Sequence, residues 1–248
     1  MQTPLRILLA GDYPDDPRLG SAKVFAKLQC EFRAMGHQCD TITASDLGAR
    51  PAGRQLRQLV APALAARAIR RRMQQSPVDV IDAASAEGLW VALARRAGAL
   101  RTACICRSNG LEHLNYARML DDARVGLTTK AWWRRVWYPA SRLSQVAGAA
   151  RASDRLLLLT DTDRAFAIAR GWKRAECIDV VPHGVDERYL GDCAVLHAPR
   201  GSGLLFCATW DHMKGIRYLV DAFALIHEHG RRPNLTVLGP GVSEMDVL

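Results

Sequence analysis

Short, continuously apolar runs alternate with longer amphipathic stretches along most of the chain. A continuous apolar run is typical of a parallel strand that is covered on both faces, whereas a half-exposed strand alternates apolar and polar residues. Between the runs, apolar residues recur at helical spacing, as Val24, Phe25, Leu28 and Phe32 do. The pattern therefore predicts an α/β protein in which a parallel sheet is joined by right-handed helical crossovers.

The predicted strands are residues 5–10, 38–43, 78–82, 101–107, 155–160, 178–181, 203–208 and 235–238. The predicted helices are residues 22–35, 51–75, 87–97, 161–170 and 215–229. Pro182 cannot donate to a sheet ladder and Gly184 permits a tight turn, so a first α/β unit should close near residues 177–190. The two strands that follow form too small a sheet for an independent domain of ordinary stability.

The composition is that of an ordinary globular protein, with 49% apolar and 24% charged residues. A net charge of +9 favours anionic partners such as phosphates, nucleotides, nucleic acid or an acidic membrane face, without choosing among them. The seven cysteines show no zinc-binding spacing, and Cys104 and Cys106 fit one buried strand face as small core residues. We expect no metal, no signal peptide and no membrane-spanning helix, and a protein of the reducing cytoplasm.

Two stretches combine arginine with apolar side chains, and each leaves alternatives open. Residues 51–75 form a basic amphipathic helix that fits either an anionic membrane surface or a helix packed on the sheet. Residues 130–143, KAWWRRVWYPASRL, fit a membrane interface, single-stranded nucleic acid, or a helix whose aromatic residues fill the core. An anionic membrane surface is kept as a partner, whereas a nucleic-acid partner is not expected.

Two loops carry the candidate chemistry of the first unit. Gly20 and Ser21 open a helix, where free backbone N–H groups suit a phosphate, although Ser21 also fits a plain N-cap. The fingerprint G-x-G-x-x-G is absent, so a dinucleotide site has little support. The second loop, SNGLEH, follows a predicted strand at the sheet edge that carries ligands in open α/β sheets. It offers Asn109, Glu112 and His113 as candidate catalytic residues.

Three stretches together resemble the retaining glycosyltransferases of family 4, which have the GT-B fold of two facing Rossmann-like domains. The first is DPRLGSAKVFAKLQCEFRAMGHQCDTIT, which resembles the family's first glycine loop, helix and following strand. The second combines SDRLLLLTDTDRAFAIARGW with CIDVVPHGVDERYL, and the third is GLLFCATWDHMKGIRYLVDAFALI. The resemblance covers nearly the whole chain and is carried by the order and spacing of all three stretches.

The resemblance implies transfer of a sugar from a nucleotide diphosphate sugar, as co-substrate, to a glycan or lipid-linked acceptor, with no cofactor and no metal. It implies an acceptor-side Rossmann-like domain over residues 1–190, a hinge after Gly184, and the beginning of a donor-side domain over residues 191–248. The setting would be cell-surface polysaccharide synthesis at the inner face of the cell membrane. The implied donor and phosphate-binding residues are Gly20, Ser21, Thr209, Lys214, Gly215 and Gly239.

Three departures from the family pattern affect this expectation. Asn109 stands where the family often has His, and Asn cannot shuttle a proton near pH 7. Thr209 stands where the family has an arginine that clamps the diphosphate. The family's Glu-x7-Glu motif would lie beyond Leu248, so the chain is expected to be truncated at its C-terminus. The alternative interpretation is a truncated, non-catalytic homologue that acts as a binding or partner module.

Overall fold

The computed structural model describes residues 3–16, 20–49, 51, 53–126, 132–185, 203–210 and 214–239, with the backbone alone for Arg54 and residues 132–134. The segment 186–202, which contains most of the predicted hinge, lies outside the described residues. The chain divides into two compact units. One contains Met1–Asn115 and Ala131–Gly184, and the other contains Tyr116–Lys130 and Val185–Leu248.

The first unit contains a six-stranded sheet in which every neighbouring pair is parallel, as predicted. Its strands are β1 (Arg6–Ala10), β2 (Gln38–Ile42), β3 (Val80–Ala84), β4 (Ala103–Arg107), β5 (Arg155–Leu158) and β6 (Ile178–Val180). Their order is β2-β1-β3-β4-β5-β6. The strand order reverses at β1, so the crevice at the carboxyl ends of β1 and β3 is the place where an open α/β sheet binds ligands.

Seven α-helices accompany this sheet among the described residues. They are α1 (Gly20–Ala34), α2 (Arg54–Gln75), α3 (Leu89–Arg96), α4 (Glu112–Arg124), α5 (Trp132–Tyr138), α6 (Ser144–Ala152) and α7 (Asp161–Ala169). Of α4, residues 112–115 belong to the first unit and residues 116–124 to the second. A 3₁₀ turn, Ser85–Gly88, links β3 to α3, and a π-helical turn, Pro139–Leu143, links α5 to α6. The first two residues of the predicted helix over 87–97 therefore belong to the 3₁₀ turn, and α3 begins at Leu89. Ser85, the first residue of that turn, has a left-handed φ of 49°.

Strand β1 shows why continuous apolar runs mark the centre of this fold. Its alternate residues face opposite sides of the sheet. Leu8 and Ala10 belong to one buried cluster, and Ile7 and Leu9 belong to another. Since both sides are covered, neither face of the strand can be polar. Cys104 and Cys106 of β4 are likewise buried, as predicted, and burial raises the pKa of the Cys104 thiol to about 12.

Helix boundaries follow local signals in the sequence. Thr160 caps α7 by accepting a hydrogen bond from the backbone N–H of Asp163 at 3.1 Å. Gly36 and Gly171 follow α1 and α7 with φ values of 89° and 61°, a conformation that favours glycine. These signals explain why both helices end within one residue of their predicted ends.

The basic helix α2 packs on the sheet, which favours the second of its two interpretations. Ala65 and Ile69 are buried in the cluster that includes Leu8, whereas Leu56, predicted on the apolar side, is 49% exposed. Arg72 pairs with Asp40 of β2 at 3.3 Å. Within the described residues, no helix is long and apolar enough to span a bilayer. Association with an anionic membrane surface stays a prediction.

The stretch 130–143 is helical where it is described. Leu143 is buried in the core, whereas Trp137 is largely exposed, so the aromatic residues do not all fill the interior. Residues 130 and 131 lie outside the described part, and the side chains of 132–134 are not described. The membrane and nucleic-acid interpretations of this stretch therefore stay predictions.

The described residues of the second unit include two parallel strands, β7 (Leu204–Cys207) and β8 (Leu235–Leu238), with α8 (Ile216–Glu228) between them in sequence. This is the strand–helix–strand pattern that the sequence predicts. Gly215 precedes α8 with a φ of 82°, in the left-handed region.

Candidate functional site

A cavity of about 630 Å³ opens where β1 and β3 end, which is the crevice that the strand order marks. Asp12 and Tyr13 line it after β1, and Ser85 and Glu87 line it after β3. The remaining walls come from the first turn of α1, from the start of α2 with the residues before it, from the β4–α4 connection with the start of α4, and from the π-helical turn. Side chains from six places in the sequence therefore meet at one point of the first unit.

Asn109 and Tyr13 form one wall of this cavity as a hydrogen-bonded pair. The Nδ2 of Asn109 donates to the Tyr13 hydroxyl at 2.8 Å. Burial and the nearby negative charge of Glu87 raise the pKa of Tyr13, so its hydroxyl stays protonated at neutral pH. The Oδ1 of Asn109 is buried with no hydrogen-bond partner among the described residues. A buried acceptor without a donor is costly, so this wall suits a ligand that brings a donor.

Glu112 lines the same cavity from the first turn of α4. The prediction placed Glu112 and His113 in a loop, and this is wrong, because the helix begins at Glu112. A carboxylate is favourable in a first helical turn, where N–H groups are unpaired. The Oε1 of Glu112 accepts a hydrogen bond from the Ser85 hydroxyl and lies 3.5 Å from the Arg142 guanidinium. Its Oε2 is buried with no partner among the described residues.

The two residues at the start of α1 are placed differently. Ser21 lines the cavity, whereas Gly20 is exposed and begins the helix. Since α1 starts at Gly20, Ser21 lies inside the first turn and is not the N-cap. Its contact with a phosphate stays a prediction.

His113 is not brought to the cavity. Its ring packs edge-on against Trp172 at 4.6 Å and lies 5.9 Å from Phe166, on the α7 side of α4. Burial, together with the positive charges of Arg170 and Arg151, lowers the pKa of His113 to about 4. The imidazole is therefore neutral at physiological pH, and its surroundings are those of a packing residue.

This environment makes the stability of the protein depend on pH. An unfolded His takes up a proton at a pKa of about 6.5, whereas folded His113 does so near 4. The unfolded chain thus binds more protons between these values, and stability is lost as the pH falls through this window. We expect the melting temperature of the wild type to drop more between pH 7 and pH 4.5 than that of His113→Phe, measured by circular dichroism. An equal drop in both proteins would show that burial does not lower the pKa of His113.

A buried ion pair supports the sheet beneath this edge. Arg107 of β4 donates from Nε to both carboxylate oxygens of Asp82 on β3, at 3.1 and 3.0 Å, and its Nη2 also contacts Oδ2. Both residues are buried. Burial raises the pKa of Asp82, while the charge and hydrogen bonds of Arg107 oppose that shift.

Tyr13, Glu87 and Arg142 are among the cavity residues that the sequence analysis missed. Tyr13 and Glu87 follow predicted strands at their carboxyl ends, and this position was a signal that could have identified both. Arg142 had no such signal, because its partner Glu87 is 55 positions away in sequence. It belongs to the stretch 130–143, which was interpreted as a membrane interface, a nucleic-acid contact or a helix whose arginines face solvent, but not as part of a catalytic site.

The candidate residues of the second unit lie around β7, β8 and the start of α8. Thr209 and Lys214 are exposed, and Lys214 directly precedes Gly215 at the helix N-terminus. Gly239 has a φ of 142°, and a Cβ there would lie 1.9 Å from the carbonyl oxygen of Ala208. Only glycine fits this close approach. The donor-binding roles of these residues stay predictions.

No cluster of three or more His, Cys, Asp or Glu able to hold a metal ion occurs in the described part of either unit.

Solved structures share the fold at low sequence identity. The sucrose-phosphate synthase of Thermosynechococcus elongatus matches with a TM-score of 0.66 and 15% identity, over 95% of this chain and 70% of that one. The lipopolysaccharide outer core galactosyltransferase WaaB matches with a TM-score of 0.58 and 12% identity, over 98% and 70%. A UDP co-structure of S. aureus MnaA matches with a TM-score of 0.52 and 10% identity, over 98% and 63%. A search of curated protein sequences gives no match.

The fold that these likenesses show is the α/β fold of GT-B glycosyltransferases, as the sequence analysis expected. The family model described as Glycosyltransferase Family 4 matches residues 20–189, from the start of α1 to beyond β6. This span includes Asn109, Glu112 and most of the cavity lining. Because the model matches more than half of the chain, the protein belongs to glycosyltransferase family 4.

Proposed function

We propose that the protein transfers a hexosyl group, with retention of configuration, from a nucleotide diphosphate sugar to a hydroxyl of a glycan or lipid-linked acceptor. The setting proposed is cell-surface polysaccharide synthesis at the inner face of the membrane. The observation that carries the proposal is the cavity at the switch point, in which Asn109 and Glu112 each hold a buried acceptor oxygen without a partner among the described residues. Hydroxyl groups of a sugar are donors that would satisfy both oxygens.

Each unit supplies one part of the proposed chemistry. In the first unit, Glu112 would accept a hydrogen bond from the attacking hydroxyl and orient it, while Asn109 and Tyr13 would hold a neighbouring hydroxyl. In the second unit, Lys214 would contact the diphosphate of the donor. The acceptor oxygen forms a bond to the anomeric carbon as the bond between that carbon and the diphosphate breaks, and the hydroxyl proton passes to Glu112. The leaving diphosphate gains negative charge that the ammonium of Lys214 would stabilise.

Relatives of the same fold are consistent with such a donor. The matched MnaA structure contains UDP, and the matched WaaB protein is a galactosyltransferase. A uridine nucleotide sugar is therefore the first donor to test, followed by guanosine and adenosine nucleotide sugars.

The test is a transfer assay with the purified protein, UDP-glucose, UDP-galactose, GDP-mannose or ADP-glucose, and a panel of alkyl glycosides as acceptors. We expect release of nucleoside diphosphate that depends on the acceptor and persists in EDTA. The anomeric coupling constant of the product, measured by NMR, should equal that of the donor. An inverted product would contradict the retaining mechanism.

Replacement of Glu112 tests the role of the cavity. Glu112→Gln keeps the shape but weakens acceptance of the hydroxyl proton, so kcat/KM for the acceptor should fall by about 100-fold or more. Asp121→Asn is the matched control, because it removes one carboxylate from the exposed part of the same helix. Sugar binding without transfer by the wild type would instead favour the non-catalytic binding module.

A further inference from the structure

Arg142 joins two carboxylates at the floor of the cavity. Its Nη1 and Nη2 donate to Glu87 at 2.8 and 3.3 Å, and Nη2 lies 3.5 Å from Oε1 of Glu112. The side chains of Arg142, Glu87 and Glu112 are only 14%, 5% and 19% exposed. Burial lowers the pKa of Arg142, but the two carboxylates outweigh this effect and raise it overall. The guanidinium therefore stays positively charged, and it lies beside the carboxylate of Glu112.

The two oxygens of Glu112 are held unequally. Oε1 faces both the Ser85 hydroxyl and Arg142, whereas Oε2 has no partner among the described residues. Ser85 reaches Glu112 from a left-handed φ of 49°, which is uncommon for a residue other than glycine. Strained backbone of this kind persists only where the surroundings enforce it, and it clusters at ligand sites. The arrangement fixes one oxygen and leaves the other available.

Arg142 owes its direction to the π-helical turn Pro139–Leu143. Proline lacks an N–H and disturbs the helical ladder, and π-helical turns are frequent at functional sites. The turn is secured on both sides, since Ser144 Oγ donates to the Pro139 carbonyl at 2.9 Å and Leu143 is buried in the core. The backbone that carries Arg142 is therefore held in place by a hydrogen bond and by core packing.

A purely structural anchor would need only Arg142 and Glu87, because their bidentate contact already balances one charge against one. Adding Glu112 leaves a cluster of two carboxylates and one guanidinium with an excess negative charge, because Arg57, which also lines the cavity, is paired with Asp12 at 3.6 Å. Such an excess costs stability, because buried charge is expensive unless it is compensated. The presence of Glu112 in this cluster therefore needs a reason other than anchoring Arg142.

We propose that Arg142, itself oriented by Glu87, is a positioning residue that holds Oε1 of Glu112 and thereby directs Oε2 to the acceptor hydroxyl. This inference rests on the proposed function, since it specifies how the cavity aligns the nucleophile. Arg142 does not touch the reacting atoms. Its loss affects alignment rather than the binding of the donor.

The experiment compares kcat and KM of the wild type with those of Arg142→Lys and Glu87→Gln, using the donor and acceptor that give turnover. Lysine keeps the positive charge but loses the planar fork that contacts both carboxylates. We expect kcat to fall by about 10- to 100-fold in both variants, because small misplacement of a reacting group has effects of this size. The donor KM should stay within about two-fold.

Arg95→Lys serves as the matched control, because it alters an arginine that pairs with Asp154 at 3.2 Å on an exposed surface. Its kcat should equal that of the wild type. Circular dichroism establishes that each variant is folded, and Glu87→Gln decides the case if Arg142→Lys does not fold. Unchanged kcat in a folded variant overturns the positioning role alone. Absence of turnover by the wild type overturns the proposed function and the positioning role with it.

Discussion

Replacing Arg107 with leucine should lower the free energy of unfolding by about 3–5 kcal/mol, the range for breaking a buried ion pair from one side. The reason is that Asp82 would keep its carboxylate in the interior without the guanidinium that now contacts both of its oxygens. Urea denaturation followed by circular dichroism measures the loss.

The same sheet provides the control for this prediction. Arg155 on β5 makes a comparable two-point contact with Asp179 on β6, at 2.7 and 2.8 Å, but these side chains are 46% and 39% exposed. Exposed pairs contribute little, so Arg155→Leu should cost much less stability than Arg107→Leu. If both variants lost the same stability, burial would not be what makes the Asp82–Arg107 pair important. Replacing Asp82 and Arg107 together with apolar residues should restore much of the loss.

Lys214→Ala should reduce kcat/KM for nucleotide-sugar turnover by at least about 100-fold, the scale seen when a group that stabilises transition-state charge is removed. Two features place positive potential at one point of the second unit. The ammonium of Lys214 precedes Gly215, and the unpaired N–H groups of α8 begin immediately after it. Both would act on the charge that accumulates on a departing diphosphate.

Arg231→Ala controls for the loss of one positive charge, because Arg231 is exposed near the opposite end of the same helix. Its kinetic constants should match those of the wild type. Lys214→Arg should recover part of the activity, since it restores the charge with a different shape. Retained turnover in Lys214→Ala would remove this lysine from the mechanism.

The parts of the fold that depend on local pattern were predictable. The run Ile7–Leu9 is apolar throughout because both of its faces are covered, and a reader of the sequence sees that directly. Thr160 and Gly171 bracket α7 with signals that lie inside a few residues. Parallel pairing then follows from the alternation of strands and helices.

The candidate site was predictable only in part. Asn109 and Glu112 were found because they follow a strand at the ligand-binding edge, and the structure brings both to the cavity. His113 shares that position in sequence, but one step along a helix turns it about 100° away, toward Trp172. A pattern that treats the segment as a loop cannot make this distinction.

The role of Arg142 in the cavity could not be predicted from the sequence, for a different physical reason. Its direction depends on an extra residue in one helical turn and on partners supplied by the 3₁₀ turn after β3 and by α4. Neither the π-helical turn nor the left-handed Ser85 has a local sequence signature as strong as glycine or a capping residue. Such features arise from tertiary packing, which a single sequence does not display.

The bond between Asn109 and Tyr13 joins residues that are 96 positions apart, and this has a consequence for how the protein can be divided. The cavity draws on the chain from Asp12 to Arg142, and the π-helical turn that carries Arg142 leads into α6, whose alanines are buried. A fragment that stopped at residue 143 would hold every lining residue yet expose the apolar face of α3 that α6 covers. The smallest portion able to reproduce the binding surface is therefore almost the whole first unit. Ligand binding at the cavity would then measure whether that unit has folded completely.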